Sequence, residues 1–513
     1  MKSSSPTIMI GLDGAEVTLV EKFCSEGKLP TLQSLRKDGC FGILDTDADI
    51  FAGGVWPTFY TSKKVPWHGI FHNKLWRHEN MRCEVANEEW LSAQPFWEFF
   101  NDSNYRLAII DVPMTLGKPK PINGIHVCGW GTHDLINKGS WPPDLWKTLE
   151  KKFAPPGIPP EFFGPQSSKT LKTLRENLLK ATKQVIRMSE HILTQEPWDL
   201  FLLILGATHR AGHYLWNLSQ IDSSCLSSSE LKVLEGALLD TYQACDYGVG
   251  KLIEKAPHNA KILVFSVHGM NRNSGWSDYC PNILSVIQKK GQEAPAKSGF
   301  LYRLRQVLPW QLIRQITRYM PKSALDLLVS LWSSNMFDWH TTRYFPIPMD
   351  HACYLRINVK GREPEGIVEY GPEYYQICEE LKAAFLSFCD IDSGKPIVDK
   401  VYHIDDLVPL DAPYRNFLPD LVITWTDISA IQSKGIRSEK YGEFLIDGKL
   451  PSGRAGNHAN KGWFVARGEG ISPETSTDEN HIVDLVPTVF QWLGAQPPDH
   501  FQGKPISSLC KSL

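Results

Sequence analysis

Two histidines four residues apart follow an apolar run and are suited to holding a metal ion. His209 and His213 come directly after the apolar residues 201–205. On a helix, a spacing of four places both imidazoles on one face, the arrangement with which zinc sites capture the ion through two nitrogens. A pair of capped or partly buried histidines is the alternative if no other ligand converges on them.

Other polar residues stand where further apolar runs end. Asp13 follows the run 7–12, His268 follows the run 262–267, and His458 lies in a polar, glycine-rich stretch that is expected to be a loop. The carboxyl ends of strands in an open α/β sheet form the edge at which ligands bind. An Asp-Gly pair after a strand is also an ordinary turn. Together these residues favour a divalent metal, and the predominance of nitrogen donors favours zinc over magnesium.

The elements that must position these residues are short apolar runs separated by helix-compatible stretches. Continuous apolar runs of this length indicate strands buried on both faces, as in a parallel sheet. The sequence therefore predicts an α/β fold with a mainly parallel central sheet covered by helices on both faces. The predicted strands are 7–12, 107–112, 125–128, 201–205, 262–267 and 421–424.

Residues 285–348 differ from the rest and predict a helical insertion, with 1–284 and 349–513 forming the α/β core. The insertion intersperses arginines with large apolar side chains, which is consistent with a lid over an anionic or amphipathic substrate or with a surface resting on lipid headgroups. A solvated outer face of packed helices is the more ordinary interpretation. The arginines are Arg303, Arg305, Arg314 and Arg318.

Composition excludes several classes of protein. The 513 residues carry a formal net charge of -3, so bulk electrostatics give no reason to expect a nucleic-acid partner. The eleven cysteines contain no CxxC pair and predict reduced thiols in the cytoplasm. No apolar run reaches the ~18 residues of a membrane span, and the amino terminus leaves no room for a signal peptide. We therefore expect a soluble cytoplasmic protein, and its oligomeric state stays open.

The sequence as a whole resembles the alkaline phosphatase superfamily, and within it the type I phosphodiesterase/nucleotide pyrophosphatase-like phosphohydrolases. The resemblance rests on an ordered set of segments that spans nearly the whole chain. These segments are 11–15, 26–32, 56–62, 68–70, 338–344, 356–368, 419–422 and 484–489.

The resemblance implies a single α/β domain with two metal ions at the sheet edge. Asp13 and His268 match ligands of one ion in that family. His213 and His458 match ligands of the other, and His209 takes the place of an aspartate ligand of that second ion. Imidazole nitrogen and carboxylate oxygen both bind zinc near 2 Å, so the exchange preserves a ligand.

Two departures from the family pattern affect the chemistry. Val267 stands where the family has an aspartate ligand of the Asp13 ion, and an isopropyl group cannot coordinate a metal. The position of the family's nucleophile falls on Ala52, which cannot attack a substrate. Thr58 carries the nearest downstream hydroxyl and is a fallback catalytic nucleophile, although a place inside a helix beginning at Pro57 favours ordinary packing.

The sequence therefore predicts a metal-dependent hydrolase or group-transfer enzyme acting on a phosphoester or related anionic ester. One ion would be held by His209, His213 and His458, since three imidazoles with an open fourth position describe a catalytic zinc site. Asp13 and His268 would hold a weakened second ion or orient substrate and water by hydrogen bonds. Two other functions stay open: non-hydrolytic, metal-dependent tailoring of a small metabolite, and an inactive binding protein that keeps the fold.

The substrate is expected to be a small anionic molecule with an aromatic or amphipathic part. The chain has 17 tryptophans, several of them near the proposed site loops, and aromatic walls suit such a ligand. Core packing is the common role of tryptophan and is the competing explanation. Peripheral contact with a membrane stays open for the same chain, through the predicted insertion.

Overall fold

Strand Thr7–Leu12 lies at the centre of the protein, and all six of its residues are buried. It runs parallel to Leu200–Leu205 on one side and to Lys261–Ser266 on the other. Apolar residues fill all three strands because a parallel sheet is covered on both faces. The computed structural model describes residues 5–132, 138–158, 164, 166–221, 226–290, 337–347, 349, 352–446 and 450–510.

The central sheet has ten strands in the described part of the chain. The core of the sheet is parallel, and Lys461–Arg467 and Gly139–Trp141 run antiparallel to their neighbours. The prediction of a mainly parallel α/β sheet is confirmed. From edge to edge the strands are Glu474–Thr475, Cys40–Asp45, Lys461–Arg467, Lys261–Ser266, Thr7–Leu12, Leu200–Leu205, Leu107–Ile110, Gly124–Cys128 and Gly139–Trp141, and Asn480–His481 also pairs with Cys40–Asp45.

Successive residues of the central strand contribute to two different cores. Met9 packs into the core on one face of the sheet, whereas Ile8 and Ile10 pack into the core on the other. This alternation follows from the two-residue repeat of a strand. Helices cover both faces. Their bounds are Val17–Ser25, Pro30–Asp38, Val55–Thr61, Val65–His68, Pro143–Phe153, Ser168–Gln195, Ala207–Leu215, Ser228–Glu235, Ala237–Lys255, Cys280–Lys290, Pro372–Leu386, Ile404–Leu407 and Leu485–Leu493.

A second, antiparallel sheet has its own apolar core. It contains strand Leu421–Trp425, so the expected strand 421–424 exists but lies outside the parallel sheet to which it was assigned. Short apolar runs do not reveal which sheet they join, because both sheets bury them. The strands of this sheet, in order, are Tyr344–Ile347, Cys353–Ile357, Leu421–Trp425 and Val398–His403. Smaller sheets pair Gly269–Arg272 with Gly456–Ala459, Lys74–Arg77 with Arg82–Val85, and Gly435–Ser438 with Cys389–Asp390 and Gly442–Leu445.

The predicted insertion 285–348 lies mostly outside the described residues. Its first residues complete helix Cys280–Lys290, and strand Tyr344–Ile347 near its end belongs to the antiparallel sheet. The four arginines on which the lid and headgroup interpretations depend fall between residues 291 and 336, which are not described. The insertion and its function therefore stay a prediction.

The expectation that every cysteine is a reduced thiol is wrong for one pair. Cys280 and Cys353 form a disulfide, with their Cα atoms 5.7 Å apart and 73 residues between them in sequence. Both are buried, at the start of a helix and of a strand that pack in the same core. The fold brings them together across a separation that no spacing motif marks. The cytoplasmic location loses this support and stays a prediction.

Membrane-spanning helices were not expected, and the described residues contain none that is long and apolar enough to cross a bilayer.

Candidate metal centre

The turn after the central strand places Asp13 at the carboxyl edge of the sheet. The backbone N–H of Asp13 donates to the carbonyl of Leu205 at 3.1 Å, and Thr208 Oγ1 donates to the carbonyl of Asp13 at 2.6 Å. Gly14 follows with a positive φ of 66°, and a Cβ there would lie 3.2 Å from His209 Cα. Glycine therefore allows this turn to pack closely against the helix that carries the histidines.

Helix Ala207–Leu215 presents His209 and His213 on one face, as their spacing predicts. Their Nε2 atoms are 3.2 Å apart, and both side chains are buried. The helix starts within two residues of the end of strand Leu200–Leu205, so the histidines lie at the same edge of the sheet as Asp13.

His458 reaches the same point from the other end of the chain. It lies on the short strand Gly456–Ala459, which corrects the expectation of a loop, and its register partner in strand Gly269–Arg272 is Met270. A glycine-rich polar stretch resembles a loop in sequence because such a short two-stranded pairing has little apolar signal. His458 Nε2 is 2.8 Å from His209 Nε2.

His268 completes the cluster from the turn after strand Lys261–Ser266. Its Nε2 is 3.2 Å from Asp13 Oδ1, and one ring nitrogen from each of His209, His268 and His458 lies within 4.8 Å of the other two. All five residues predicted as metal ligands therefore form one continuous cluster. The triplet that could hold one metal ion among the described residues is therefore His209, His268 and His458, and His213 adjoins it through His209 Nε2.

Backbone carbonyls fix the tautomers of two of these histidines. His213 Nδ1 lies 2.9 Å from the carbonyl of Gly456, and His268 Nδ1 lies 2.8 Å from the carbonyl of Gly269. A carbonyl only accepts, so Nδ1 carries the proton in both rings and the Nε2 of His213 is left to face His209. Anchoring of the outer nitrogen in this way is typical of histidines that bind metals.

The spacing of the nitrogens also fits a metal ion. A tetrahedral zinc ion with nitrogen ligands near 2.05 Å holds those nitrogens about 3.3 Å apart. The Nε2 atom of His209 is 3.2 Å from that of His213 and 2.8 Å from that of His458. Both distances at His209 therefore fit ligands of a shared zinc-like ion. The three histidines whose ring nitrogens all lie within 4.8 Å of one another include His268 in place of His213, so the ligand set His209, His213 and His458 stays a prediction.

Trp56 lies next to Asp13 in this cluster, and the sequence did not reveal its role. Trp56 Nε1 donates a hydrogen bond to Asp13 Oδ1 at 2.9 Å. In sequence Trp56 was only one of several aromatic residues near the site, and no spacing links it to Asp13. Val267, next to His268, is fully buried in the apolar core that also contains Trp56.

The region of the missing nucleophile offers no hydroxyl at position 52. Ala52 is buried in a short 3-10 turn, Ala52–Gly54, immediately before helix Val55–Thr61, which begins two residues earlier than expected. Thr58 lies within this helix, and its Oγ1 is 2.9 Å from His68 Nε2.

The state of His68 determines what the Thr58 hydroxyl does. His68 Nδ1 accepts from the backbone N–H of Ile70 at 3.1 Å, so in the neutral ring Nε2 carries the proton and donates to Thr58. Burial lowers the pKa of His68 to about 3, which keeps the ring neutral at physiological pH. A ring that donates its Nε2 proton cannot act as the base that would activate Thr58.

Three other buried polar residues have hydrogen-bond partners within the protein. Asp111, with a positive φ of 57°, accepts from the backbone N–H groups of Trp130 and Gly131 at 2.7 and 2.6 Å. The buried Arg356 and Asn358 also bond to groups of the protein itself. The sequence also places His133 and Asp134 shortly after the predicted strand 125–128, and both lie outside the described residues.

The described residues thus form a mainly parallel sheet covered by helices on both faces, with histidines and an aspartate clustered at its carboxyl edge. Residues 7–440 match the model of the type I phosphodiesterase / nucleotide pyrophosphatase family, and the chain belongs to that family. A search of curated proteins found no match.

Two solved structures illustrate the shared fold. Phosphonoacetate hydrolase from Sinorhizobium meliloti, in complex with phosphonoformate, has a TM-score of 0.52 at 13% identity, with 96% of each chain covered. An inactive variant of murine ectonucleotide pyrophosphatase / phosphodiesterase 5, in complex with AMP, has a TM-score of 0.50 at 12% identity, with 97% of each chain covered. At this identity the likeness concerns the fold.

Proposed function

We propose that this protein is a metal-dependent hydrolase of phosphoesters or related anionic esters that uses one ion bound by His209, His213 and His458. The observation that carries the proposal is that His209 Nε2 lies 2.8 Å from His458 Nε2 and 3.2 Å from His213 Nε2 at the carboxyl edge of the sheet. Membership of a phosphodiesterase family supports the substrate class.

The chemistry that such an ion supplies is Lewis acidity, which polarises a phosphoryl oxygen and acidifies a water molecule. The protein's own residues prepare the site for it. The carbonyl of Gly456 holds the proton of His213 on Nδ1, and this leaves the Nε2 lone pair directed at the cluster. All three ligands are nitrogen donors, which favours zinc over magnesium.

Ala52 changes the course of the reaction relative to enzymes with a covalent intermediate. Without a hydroxyl at that position the protein cannot be phosphorylated there, and hydrolysis requires direct attack by water. Asp13 and His268 lie beside the three-histidine site and orient substrate or water by hydrogen bonds. The alcohol and the phosphate product then leave with no covalent enzyme intermediate, and inversion at phosphorus is the expected signature of this single displacement.

The solved relatives suggest where substrate screening begins. The two structures described above carry phosphonoformate and AMP, both small anionic phosphorus compounds. We therefore infer a small phosphate ester, phosphate diester or phosphonate as the substrate class.

A screen with a matched variant tests the proposal. Zinc-loaded wild type and His213→Ala are assayed on chromogenic phosphomonoesters, phosphodiesters and phosphonate esters, with and without a chelator. We expect chelator-sensitive turnover in wild type and its loss in the variant. Turnover that survives both the chelator and the substitution would refute a metal-dependent mechanism.

A binding protein that keeps the fold is the second candidate, and Ala52 and Val267 are the observations that favour it. Wild-type protein that binds phosphate esters reversibly but turns over none of them, with or without added zinc, would favour this function over the enzyme.

A further inference from the structure

The buried carboxylate of Glu16 links the turn after the central strand to the segment that follows His268. Its Oε2 accepts from the backbone N–H of Met270 at 3.0 Å. Its Oε1 accepts from the backbone N–H and the hydroxyl of Thr18, at 3.2 and 3.0 Å, and so caps helix Val17–Ser25. Hydrogen bonds from N–H groups to a carboxylate are roughly twice as strong as those between neutral groups, so Glu16 anchors Met270 as well as the helix.

Glu16 is held in place by the elements around it. Its own backbone N–H donates to Tyr242 Oη at 2.8 Å, and the carbonyl of the preceding residue, Ala15, accepts from Trp463 Nε1 at 2.8 Å. Glycine at position 269 gives the carboxylate access to Met270, because a Cβ there would collide with Glu16 Oε2. The contact between Glu16 and Met270 is therefore built into the packing of the site.

The peptide group between Gly269 and Met270 transmits this contact to His268. Its N–H donates to Glu16, and its carbonyl accepts from His268 Nδ1 at 2.8 Å. Because a peptide group is planar and trans, fixing the direction of the N–H also fixes the direction of the carbonyl. Hydrogen bonds in such a chain also strengthen one another. Glu16 therefore controls the acceptor that holds the proton of His268 on Nδ1.

The backbone of His268 is tied to the same turn by a second route. Its carbonyl accepts from Ser266 Oγ at 2.8 Å, and that hydroxyl accepts from the backbone N–H of Ala15 at 3.1 Å. The two peptide groups that flank Gly269 are thus both held from residues 15 and 16. The Ser266 contact fixes the main chain of His268, whereas the Glu16 contact acts on its ring.

We propose that Glu16 is a positioning residue that orients the ring of His268 through the peptide group between Gly269 and Met270. The contacts themselves do not depend on a bound ion. Only their effect on turnover rests on the proposed function, in which His268 orients substrate or water. A residue that merely capped helix Val17–Ser25 would have no influence on the ring, so the state of His268 separates the two roles.

The state of the ring is measured by NMR on metal-free protein with isotope-labelled histidines, because the shifts of the ring nitrogens show which of them carries the proton. His268→Gln assigns the signals. We expect wild type to hold the proton on Nδ1. Glu16→Ala removes the acceptor of the Met270 N–H, so the ring should populate both tautomers and its proton should exchange with water about 10-fold faster. Glu16→Gln should restore the wild-type signals, because its amide oxygen still accepts from Met270 while its NH2 group faces Thr18 Oγ1.

Thr18→Val is the matched control, since it removes a hydrogen bond to the same carboxylate but leaves the one from Met270. Its His268 signals should match those of wild type. If Glu16→Ala does not fold, Gly269→Ala provides the same test, because the added Cβ displaces the carboxylate while Glu16 is kept. Wild-type ring signals in folded Glu16→Ala or Gly269→Ala protein would overturn the proposal, and so would altered ring signals in Thr18→Val.

Turnover is the readout that depends on the proposed function. In zinc-loaded protein, kcat/KM should fall by about 10-fold in Glu16→Ala and stay within about twofold of wild type in Thr18→Val. Absence of turnover in wild type would refute the proposed function, whereas the ring signals would still decide the role of Glu16.

Discussion

Replacing Thr58 with alanine separates the two roles that this buried hydroxyl could have, nucleophile or packing partner. The side chain accepts the Nε2 proton of His68 at 2.9 Å, and both residues are buried. Alanine leaves that N–H without its partner, which costs about 1–3 kcal/mol, and removing the methyl group adds about 1 kcal/mol. We expect the free energy of unfolding to fall by about 2–4 kcal/mol.

Turnover should be unaffected by the same change. Because His68 donates to Thr58 and its pKa is lowered to about 3 by burial, His68 cannot be the base that activates the hydroxyl. Unfolding is followed by tryptophan fluorescence in urea, and kcat is measured per folded, zinc-loaded molecule. We expect a lower urea midpoint for Thr58→Ala with kcat within about twofold of wild type, equivalent to less than about 0.5 kcal/mol in the barrier.

Two further variants make this test decisive. Thr61→Ala removes a buried hydroxyl from the same helix, but Thr61 Oγ1 donates to the carbonyl of Pro57, so no side-chain donor is stranded and the loss of stability should be smaller. Thr58→Ser keeps the hydroxyl and should restore most of the stability. If Thr58→Ala abolishes turnover while it remains folded, and Thr58→Ser restores turnover, then Thr58 is the nucleophile and our reasoning about His68 is wrong.

Three other outcomes follow from buried groups. Burial lowers the pKa of His68 and of His126 from 6.5 to about 3, so the unfolded chain binds more protons than the folded one below pH 6.5. The free energy of unfolding should therefore fall between pH 6.5 and pH 3, by up to about 1.4 kcal/mol per pH unit for each ring. Urea titrations at several pH values should show a smaller slope in His126→Phe. Alkylation with and without reductant, followed by mass spectrometry, should reveal two extra reactive thiols, Cys280 and Cys353, after reduction. Equal labelling in both conditions would show that the disulfide does not form. Reduction should lower the free energy of unfolding by about 4 kcal/mol in the chain-entropy model. In Asp111→Asn, an amide NH2 group replaces one of the two carboxylate oxygens that accept backbone N–H groups. The free energy of unfolding should therefore fall by about 2 kcal/mol. An unchanged midpoint of urea unfolding would contradict this.

The central sheet and much of the site could be predicted because both depend on local sequence features. Strand Thr7–Leu12 was predicted from its apolar residues, with the bounds that the structure shows. Asp13 and His268 could be placed at the sheet edge because each follows a strand, and His209 and His213 because a helical spacing of four puts them on one face.

The features that could not be predicted depend on contacts between distant parts of the chain. Trp56 and Asp13 are 43 residues apart, and the disulfided cysteines are 73 apart. A pairing across such a distance is set by the packing of whole elements, and no local pattern records it. The strand of His458 was missed for a related reason, since its ladder partner lies far earlier in the chain.

That ladder has a consequence for how the protein matures. Strand Gly456–Ala459 brings His458 to the cluster by pairing with Gly269–Arg272, so a fragment that ends before residue 456 would contain the helix with His209 and His213 but would lack the third nitrogen of the proposed zinc site. Slippage of the ladder by one residue would turn the His458 ring to the opposite face. If the proposed site holds an ion, full affinity would require the carboxyl-terminal segment to have emerged and joined its partner strand during synthesis. Metal loading at the proposed site would then be a late step of folding, which truncated or mispaired chains could not complete.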